Sequence, residues 1–485
     1  MDQMAGGAAK TIGFLLDDQW ISEGAPLEVR SPYDHSLVAQ TFRPNASHIE
    51  SAIQAAARAF EITRKLPVYE RQKILGAVAQ AITAQREDFA RTIALEAGKP
   101  IKTARAEVER AIFTFSVAAE ESTRIYGEWL PLDLQSSTRG RWAIIRRFPV
   151  GPIACISPFN FPVNLVAHKW APALAAGCTV VHKPASQTPL GSLNLARLVQ
   201  EAGWPAGGLN VLPLSGRDAE ILVTDDRLKK LTFTGSPEVG WALKKKAGKK
   251  RVTLELGGNA GVIIHSDADL EFAAERCVAG GFSYAGQSCI SVQRILVQRS
   301  VYDKFLAVFV PRVEKLRVGD PLDESTDVGP MISEDDARRV AEWVDEALAG
   351  GAKALCGGKR RGAPHSSLFE PTVLAETRPE MRVNCLEVFA PVVTVQPYDD
   401  FGAAVKLVND SRYGLQAGLF TRDVKLLFSA YEELEVGGVV AGDVPTFRID
   451  HMPYGGVKDS GLGREGLRYA IEEMTERKLL VMNMA

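Results

Sequence analysis

The sequence predicts an α/β protein of two domains, each a parallel, doubly wound sheet flanked by helices. Three observations predict it. From Ile153 to Gly258, short strand-like runs alternate with helical stretches of about ten to fifteen residues, the mark of βαβ crossovers. A second alternation runs from about Asn259 to Ala441. The chain has 485 residues, 46% of them hydrophobic, enough to build more than one core.

The elements follow in order. Residues 47–124 repeat apolar side chains at i, i+3 and i+4, as in "HIESAIQAAARAFEITRK", and predict helices. "RGRWAIIRRFPVGP" (139–152) alternates and predicts a strand. Next come the strands "IACISP", "CTVVHKP", "GLNVLPLS", "KKLTFTGS" and "RVTLELGG". The helices "NLVAHKWAPALAAG", "PLGSLNLARLVQEAG", "DAEILVTDD" and "EVGWALKKKAG" separate them. Such crossovers are right-handed, and ligands gather at the carboxyl ends of the strands. In the second alternation the helices are "DLEFAAERCVAGG", "VYDKFLAVFVPRVEKL", "EDDARRVAEWVDEALAGG" and "DFGAAVKLVND". Its strands include "SVQRILVQ", with "GLQAGLFT" and "VGGVVAG" read as buried strands. "ERKLLVMNMA" closes the sequence as a terminal strand.

Charge excludes one class of partner. With 57 basic and 59 acidic residues the net charge is −2 and no long single-sign run occurs, so no nucleic-acid partner is expected. No apolar stretch is long enough for a membrane span, and "MDQMAGGAAK" lacks the pattern of a secretory signal. A cytoplasmic location, with no membrane partner, is the expectation. The six cysteines and seven histidines are scattered without CxxC or zinc spacing, so neither a metal site nor a disulfide framework is expected.

One stretch, "YAGQSCISVQR", then raises a question. Cys289 lies on a glycine-bearing loop ahead of a strand, where a sulfur can be delivered to a cleft as a nucleophile or simply fill space. Cys277, on the apolar stripe Ala273–Ala274–Cys277–Val278, reads as core packing. Asn160 lies just past a strand and opens a helix, as an oxyanion donor or as a helix cap. Glu255, flanked by Leu254 and Leu256 at a strand end, becomes a base of raised pKa if buried and an ordinary surface carboxylate if not. No GxGxxG follows a strand. Gly235, Ser236 and Gly240 in "FTGSPEVG" are the nearest approach to a turn whose N–H groups meet a phosphate.

Six motifs in register narrow the choice: "SPFNFP" (157–162), "HKPASQTP" (182–189), "FTGSPEVG" (233–240), "LELGG" (254–258), "GQSC" (286–289) and "LEVFAPV" (386–392). Together they resemble the aldehyde dehydrogenase superfamily over nearly the whole chain. "DHMPYGGVKDSGLGREG" (450–466) and "RVGDPLDESTDVGPMI" (317–332) resemble its lactaldehyde and non-phosphorylating glyceraldehyde-phosphate branch. The resemblance implies a Rossmann-like cofactor-binding domain (1–125 and 147–255), an α/β catalytic domain (256–452), a β-arm for oligomerisation (126–146 and 470–485) and a return segment (453–469). It makes Cys289 the nucleophile and Asn160 an oxyanion donor beside the Cys289 N–H. Glu255 is then the base that activates water against the thioester.

For NAD or NADP, the resemblance implies contacts from Ile156, Lys183, Ser186, Gly235, Ser236, Gly240, Glu387 and Phe389. Lys183 would reach the adenosine ribose and Glu387 the nicotinamide ribose, with Phe389 packed beside it. Many NAD-preferring relatives carry an acid where Ser186 stands, so tolerance of NADP is expected while the preference stays open.

The substrate is partly legible. Asn160, Asn164 and His168 stand at i, i+4 and i+8, one polar helical stripe. With Arg448 and His451 on a segment resembling the family's substrate loop, the stripe implies a small hydroxylated or anionic aldehyde, such as a lactaldehyde. A core-facing His168 and a solvated Arg448 are the plainer alternatives. Ser288 stands where phosphate-using relatives often place arginine, which weighs against glyceraldehyde 3-phosphate. A CoA-acylating enzyme, a cofactor-free thiol esterase and a catalytically silent structural protein are the rivals; intact Asn160, Lys183, Glu255, Cys289 and Glu387 count against them. In the family the arm pieces pair across a dimer, so a homodimer or homotetramer is expected.

Overall fold

Two large sheets organise the chain, accompanied among the described residues by two three-stranded and two two-stranded sheets, in a computed structural model that describes residues 10–362 and 366–484. The first sheet has eight strands, ordered Gly461–Leu462, Arg251–Glu255, Lys230–Thr234, Ile153–Ile156, Val180–Lys183, Leu209–Val211, Phe14–Leu16 and Gln19–Ile21. The middle strands, from Arg251–Glu255 to Leu209–Val211, are parallel. Every residue of Ile153–Ile156 and Lys230–Thr234 is buried, as strands covered by helices on both faces require. From Ile153–Ile156 the chain moves to Val180–Lys183 on one side and later to Lys230–Thr234 on the other. The strand order reverses there, and a crevice opens beyond the carboxyl ends of those strands.

The helix Asn164–Ala176 starts beside this crevice and is buried along its whole length. Its own residues supply no side-chain cap. Instead Glu107, from the helix Ile101–Ser122, accepts the N–H groups of Val163 and Asn164 at 3.0 and 3.1 Å. Lys99 pairs with Glu107, both side chains fully buried, and its ammonium lies 3.7 Å from the Phe161 ring centroid. A charge so deep is tolerable only because it is paired and hydrogen-bonded. Glu96 repeats the device, accepting from Leu190 and Gly191 at 2.8 Å each at the start of the helix Leu190–Glu201. The helices predicted for residues 47–124 are present as Ala46–Thr63, Val68–Ala84, Arg86–Ala97 and Ile101–Ser122.

The second sheet has seven strands, ordered Lys353–Cys356, Thr372–Ala375, Val392–Tyr398, Val292–Gln298, Ala260–Ile264, Gln416–Phe420 and Gly438–Ala441. The first sheet meets the crevice at its carboxyl ends, as expected, with Thr234 and Glu255 on the cavity wall; the second sheet does the reverse. Cys289 and Glu387 precede the strands Val292–Gln298 and Val392–Tyr398, so this sheet presents its amino ends to the crevice. "VGGVVAG" also differs: Gly438–Ala441 is a half-exposed edge strand with one neighbour, not a buried one.

One of the three-stranded sheets joins the two segments expected to form an arm. Thr475–Asn483 pairs antiparallel with Arg141–Pro149 from Thr475↔Pro149 to Asn483↔Arg141, and Glu128–Pro131 flanks it. Leu479, Leu480 and Val481 on the outer strand are 54%, 57% and 49% exposed. Among the described residues no helix is long and apolar enough to cross a membrane, and no cluster of His, Cys, Asp and Glu could hold a metal ion.

Candidate active site

A cavity of about 580 Å³ occupies the crevice between the two large sheets. Its wall brings together Asn160, Gly235, Ser236, Glu255, Cys289, Glu387 and Phe389, residues scattered over more than two hundred positions of sequence.

Cys289 sits at the end of a strained turn. Tyr284 and Ala285 hold φ values of 50° and 52°, unusual for residues with side chains. Gly286 follows at φ 66°, where an added Cβ would lie 2.0 Å from the Ala390 carbonyl oxygen. Only glycine fits, which explains the "GQSC" spacing. Gly258 makes a similar concession: its Cβ would lie 2.1 Å from the Cys289 carbonyl oxygen. The Cys289 Sγ lies 3.2 Å from the Tyr454 hydroxyl. Burial pushes the thiol up to about 12, while the Tyr454 hydrogen bond pulls the other way. At neutral pH the sulfur is therefore protonated. Cys277 is fully buried in the core, as predicted.

Asn160 does not open a helix: the helix begins at Asn164, and Asn160 lies in the preceding turn. Phe161 precedes Pro162, a position that disfavours helical backbone. The buried Asn160 Nδ2 donates to the Gln287 carbonyl at 3.0 Å, which leaves its second N–H available. Gln287 is itself fixed, its Oε1 accepting the Ile332 N–H at 2.8 Å.

Glu255 ends its strand, 3% exposed, with neither carboxylate oxygen hydrogen-bonded. Burial, and then the nearby charge of Glu465, raise its pKa well above the ordinary carboxylate value. In Glu465 burial works the same way, yet Lys169, His168 and Arg448 hold it down to about 2. Of the two carboxyl groups, Glu255 is thus the one that holds a proton more tightly.

Several groups suit a dinucleotide. Glu387 accepts the Gly258 N–H at 3.0 Å, and burial lifts its carboxyl to about 8. An added Cβ at Gly257 would lie 2.2 Å from Glu387 Oε2, so that glycine clears the carboxylate's place. Phe389 holds φ 53° and meets Phe159 edge-on at 5.9 Å, and Arg339 donates to the intervening Val388 carbonyl at 3.2 Å. The "FTGSPEVG" expectation needs adjusting. The Gly235 N–H is spent on the Glu255 carbonyl and the Gly240 N–H on Ser236. The donors left for a phosphate are the N–H groups of Ser236, Glu238 and Val239 at the start of the helix that follows. Gly240 serves packing, since its Cβ would lie 2.4 Å from Leu256 Cδ2. Ile156 and Lys183 face each other across adjacent strands, off the cavity wall, and the Ser186 hydroxyl donates to the Leu214 carbonyl at 3.4 Å.

The expected substrate stripe is mostly committed elsewhere. Asn164 and His168 do not line the cavity; both are buried and engage Asp450 Oδ1, at 3.3 and 2.7 Å. Burial and the Arg448 charge lower the His168 pKa, while the Asp450 hydrogen bond pulls it up. Arg448 is not solvated either: its side chain is 6% exposed, 3.0 Å from Glu465 and stacked 3.6 Å over the Tyr454 ring. His451 is exposed against the edge of Phe113, and Ser288 is a half-buried turn residue. Sequence reasoning passed over Tyr454, Asp450, Glu465, Lys169 and Arg110. All but Arg110 and Lys169 lie within "DHMPYGGVKDSGLGREG", the one signal that could have found them.

Comparison with known proteins identifies the family and the fold. The model of the "Aldehyde dehydrogenase family" matches residues 20–480. A 3-sulfolactaldehyde dehydrogenase from Priestia aryabhattai is 44% identical over 476 residues, 98% of each chain. The crystal structure of aldehyde dehydrogenase 21 from Physcomitrella patens, in complex with the reaction product succinate, superposes with a TM-score of 0.96 at 44% identity, covering 99% of both chains. The glyceraldehyde-3-phosphate dehydrogenase GapN from Methanocaldococcus jannaschii, complexed with NADP, gives 0.91 at 40% identity, over 96% of this chain and all of that one.

Proposed function

Because the chain belongs to the aldehyde dehydrogenase family, we propose that it oxidises a small polar aldehyde of the lactaldehyde type, hydroxylated or anionic, to its carboxylic acid through a covalent adduct on Cys289. The cofactor is NAD or NADP. One observation carries the reading: Asn160, Glu255 and Cys289 share a wall with Glu387.

In this reading the Cys289 sulfur gives up its proton to solvent and forms a C–S bond to the aldehyde carbon. The carbonyl oxygen becomes an alkoxide, held by the free Asn160 N–H and the Cys289 backbone N–H. Glu387 would orient the nicotinamide ribose, and the Ser236, Glu238 and Val239 N–H groups would meet the phosphates. A bound oxidised nicotinamide would supply the hydride acceptor for this adduct, which would be left as a thioester on Cys289. Glu255, once ionised, takes a proton from water; the water oxygen bonds to the acyl carbon, the C–S bond breaks and the sulfur regains a proton.

The charges behind Cys289 bear on the substrate. Arg110, Lys169 and Arg448 face two ionised carboxylates, Asp450 and Glu465, three positive against two negative. Arg448 is the cation among them whose charge reaches Cys289, and a cation beside the nucleophile favours an aldehyde with a carboxylate, sulfonate or phosphate at its far end. Both 3-sulfolactaldehyde and succinic semialdehyde fit that description, so a semialdehyde is the second reading. Rates with lactaldehyde, 3-sulfolactaldehyde, glyceraldehyde with and without phosphate, and succinic semialdehyde, against both cofactors, test it. The highest kcat/KM is expected for a short hydroxylated or anionic aldehyde; a preference for hexanal or benzaldehyde overturns the assignment.

The exposed Leu479, Leu480 and Val481 support a homodimer or homotetramer joined through the arm.

A further inference from the structure

Two turns from distant parts of the sequence meet on one buried ammonium. The turn that carries Asn160 continues into Phe161, and the strained turn that ends at Cys289 begins at Tyr284. The Lys99 Nζ lies 3.7 Å from the Phe161 ring centroid and 4.5 Å from that of Tyr284. The two rings meet edge to face, their centroids 6.4 Å apart. A cation over an aromatic face is attracted by the ring's quadrupole, more strongly once desolvated, and Lys99 is fully buried. Its counter-charge holds the same region: Glu107 Oε2 pairs with Lys99, while Oε1 accepts the Val163 and Asn164 N–H groups. The backbone beside Lys99 adds a second connection. The Tyr284 hydroxyl donates to the Ala97 carbonyl at 2.9 Å. An added Cβ at Gly329 would lie 2.2 Å from the Gly98 carbonyl oxygen, and the next residue, Pro330, accepts from Gln287 Nε2 at 3.3 Å. Gln287 in turn offers its own carbonyl to Asn160.

We propose that Lys99 is a positioning residue for the reaction: its ammonium, shared by the Phe161 and Tyr284 rings, fixes the Asn160 amide relative to the Cys289 N–H, so that both donors aim at one oxygen. Lys99 lies off the cavity wall and acts through the two rings. An ion pair needs only Glu107; the rings add the link between the turns. Such a link matters because a misplacement of about 1 Å can cost about a hundredfold in rate. This rests on the proposed function, in which Asn160 and the Cys289 N–H hold the adduct's oxygen.

The test is a rapid-mixing measurement of the burst of reduced cofactor, set beside Cys289 alkylation by iodoacetamide and cofactor affinity by calorimetry. Alkylation creates no oxyanion, so it reads the sulfur without the two donors. Lys99→Met/Glu107→Gln removes both charges together. Its burst rate is expected to fall about tenfold to a hundredfold, with alkylation and cofactor Kd within about twofold of wild type. Phe161→Leu removes one ring and keeps the ion pair; its burst is expected to fall about threefold to tenfold with the same split, and Phe161→Tyr to recover most of that loss. If the double variant does not fold, the Phe161 pair decides. A wild-type burst rate in the folded double variant or in Phe161→Leu, or a parallel fall in burst, alkylation and cofactor affinity, overturns the positioning role alone. A wild-type enzyme with no burst on any of the aldehydes above overturns the proposed function and this inference with it.

Discussion

The Tyr454 hydroxyl lies 3.2 Å from the Cys289 sulfur, and the Arg448 guanidinium lies over the same phenol ring, 3.6 Å from its centroid. A donor and a cation thus stand behind a thiol that burial keeps protonated. The hydrogen bond favours the thiolate, since it weakens the upward push of burial.

Tyr454→Phe removes that donor. The pH for half-maximal alkylation of Cys289 by iodoacetamide is expected to rise, and the rate of adduct formation at fixed pH to fall about tenfold. An unchanged alkylation profile would show that the phenol does not act on the sulfur.

Nucleophile and base separate in the pre-steady state. Glu255→Gln is expected to release one equivalent of reduced cofactor and then slow about a hundredfold or more, because the thioester waits for an unactivated water. Cys289→Ala is expected to show no burst. Normal turnover by Glu255→Gln would remove Glu255 as the base.

The pH dependence has a definite sign. Glu255 acts only when ionised, and burial together with Glu465 raises its pKa. The acidic limb of kcat is therefore expected well above the range of an ordinary carboxylate, with hydrolysis accelerating as pH rises through it. Glu465→Gln deletes one charge that raises the pKa, so the limb is expected to move to lower pH. A limb that stays in place in a folded Glu465→Gln enzyme argues against this coupling.

Lys99→Met leaves the buried Glu107 carboxylate without its cation beneath the turn that carries Asn160. Breaking one partner of such a pair costs about 3–5 kcal/mol. Calorimetry is expected to show a clearly lower Tm, partly recovered by adding Glu107→Gln. A wild-type Tm in Lys99→Met would mean that the pair contributes little.

Leu480→Arg places a charge on the exposed outer strand of the arm. Sedimentation velocity is expected to show a smaller species than the wild type at equal concentration. No change in mass would locate the subunit contact elsewhere.

The α/β alternation was readable because buried strands and amphipathic helices leave periodic signals over a few residues. Cys289 and Glu255 were readable for a related reason: a glycine-bearing loop and a strand end are local features on which the family motifs fall. The i, i+4, i+8 spacing of Asn160, Asn164 and His168 predicts a helix from Asn160, and the Phe161–Pro162 step overrides that spacing. Asn164 and His168 are polar, but the partner that commits them, Asp450, lies 286 and 282 residues away. No local pattern announces such a pairing.

Short-range order in the chain settled which segments become strands and helices and which residue types could do acyl chemistry. It could not settle their ionisation. Whether Glu255 holds a proton, whether Arg448 meets water or a phenol ring, and whether Lys99 finds a carboxylate depend on burial and on charges brought in from distant segments. Those environments exist only once the sheets have packed together, because desolvation and Coulomb interaction act through space and not along the sequence.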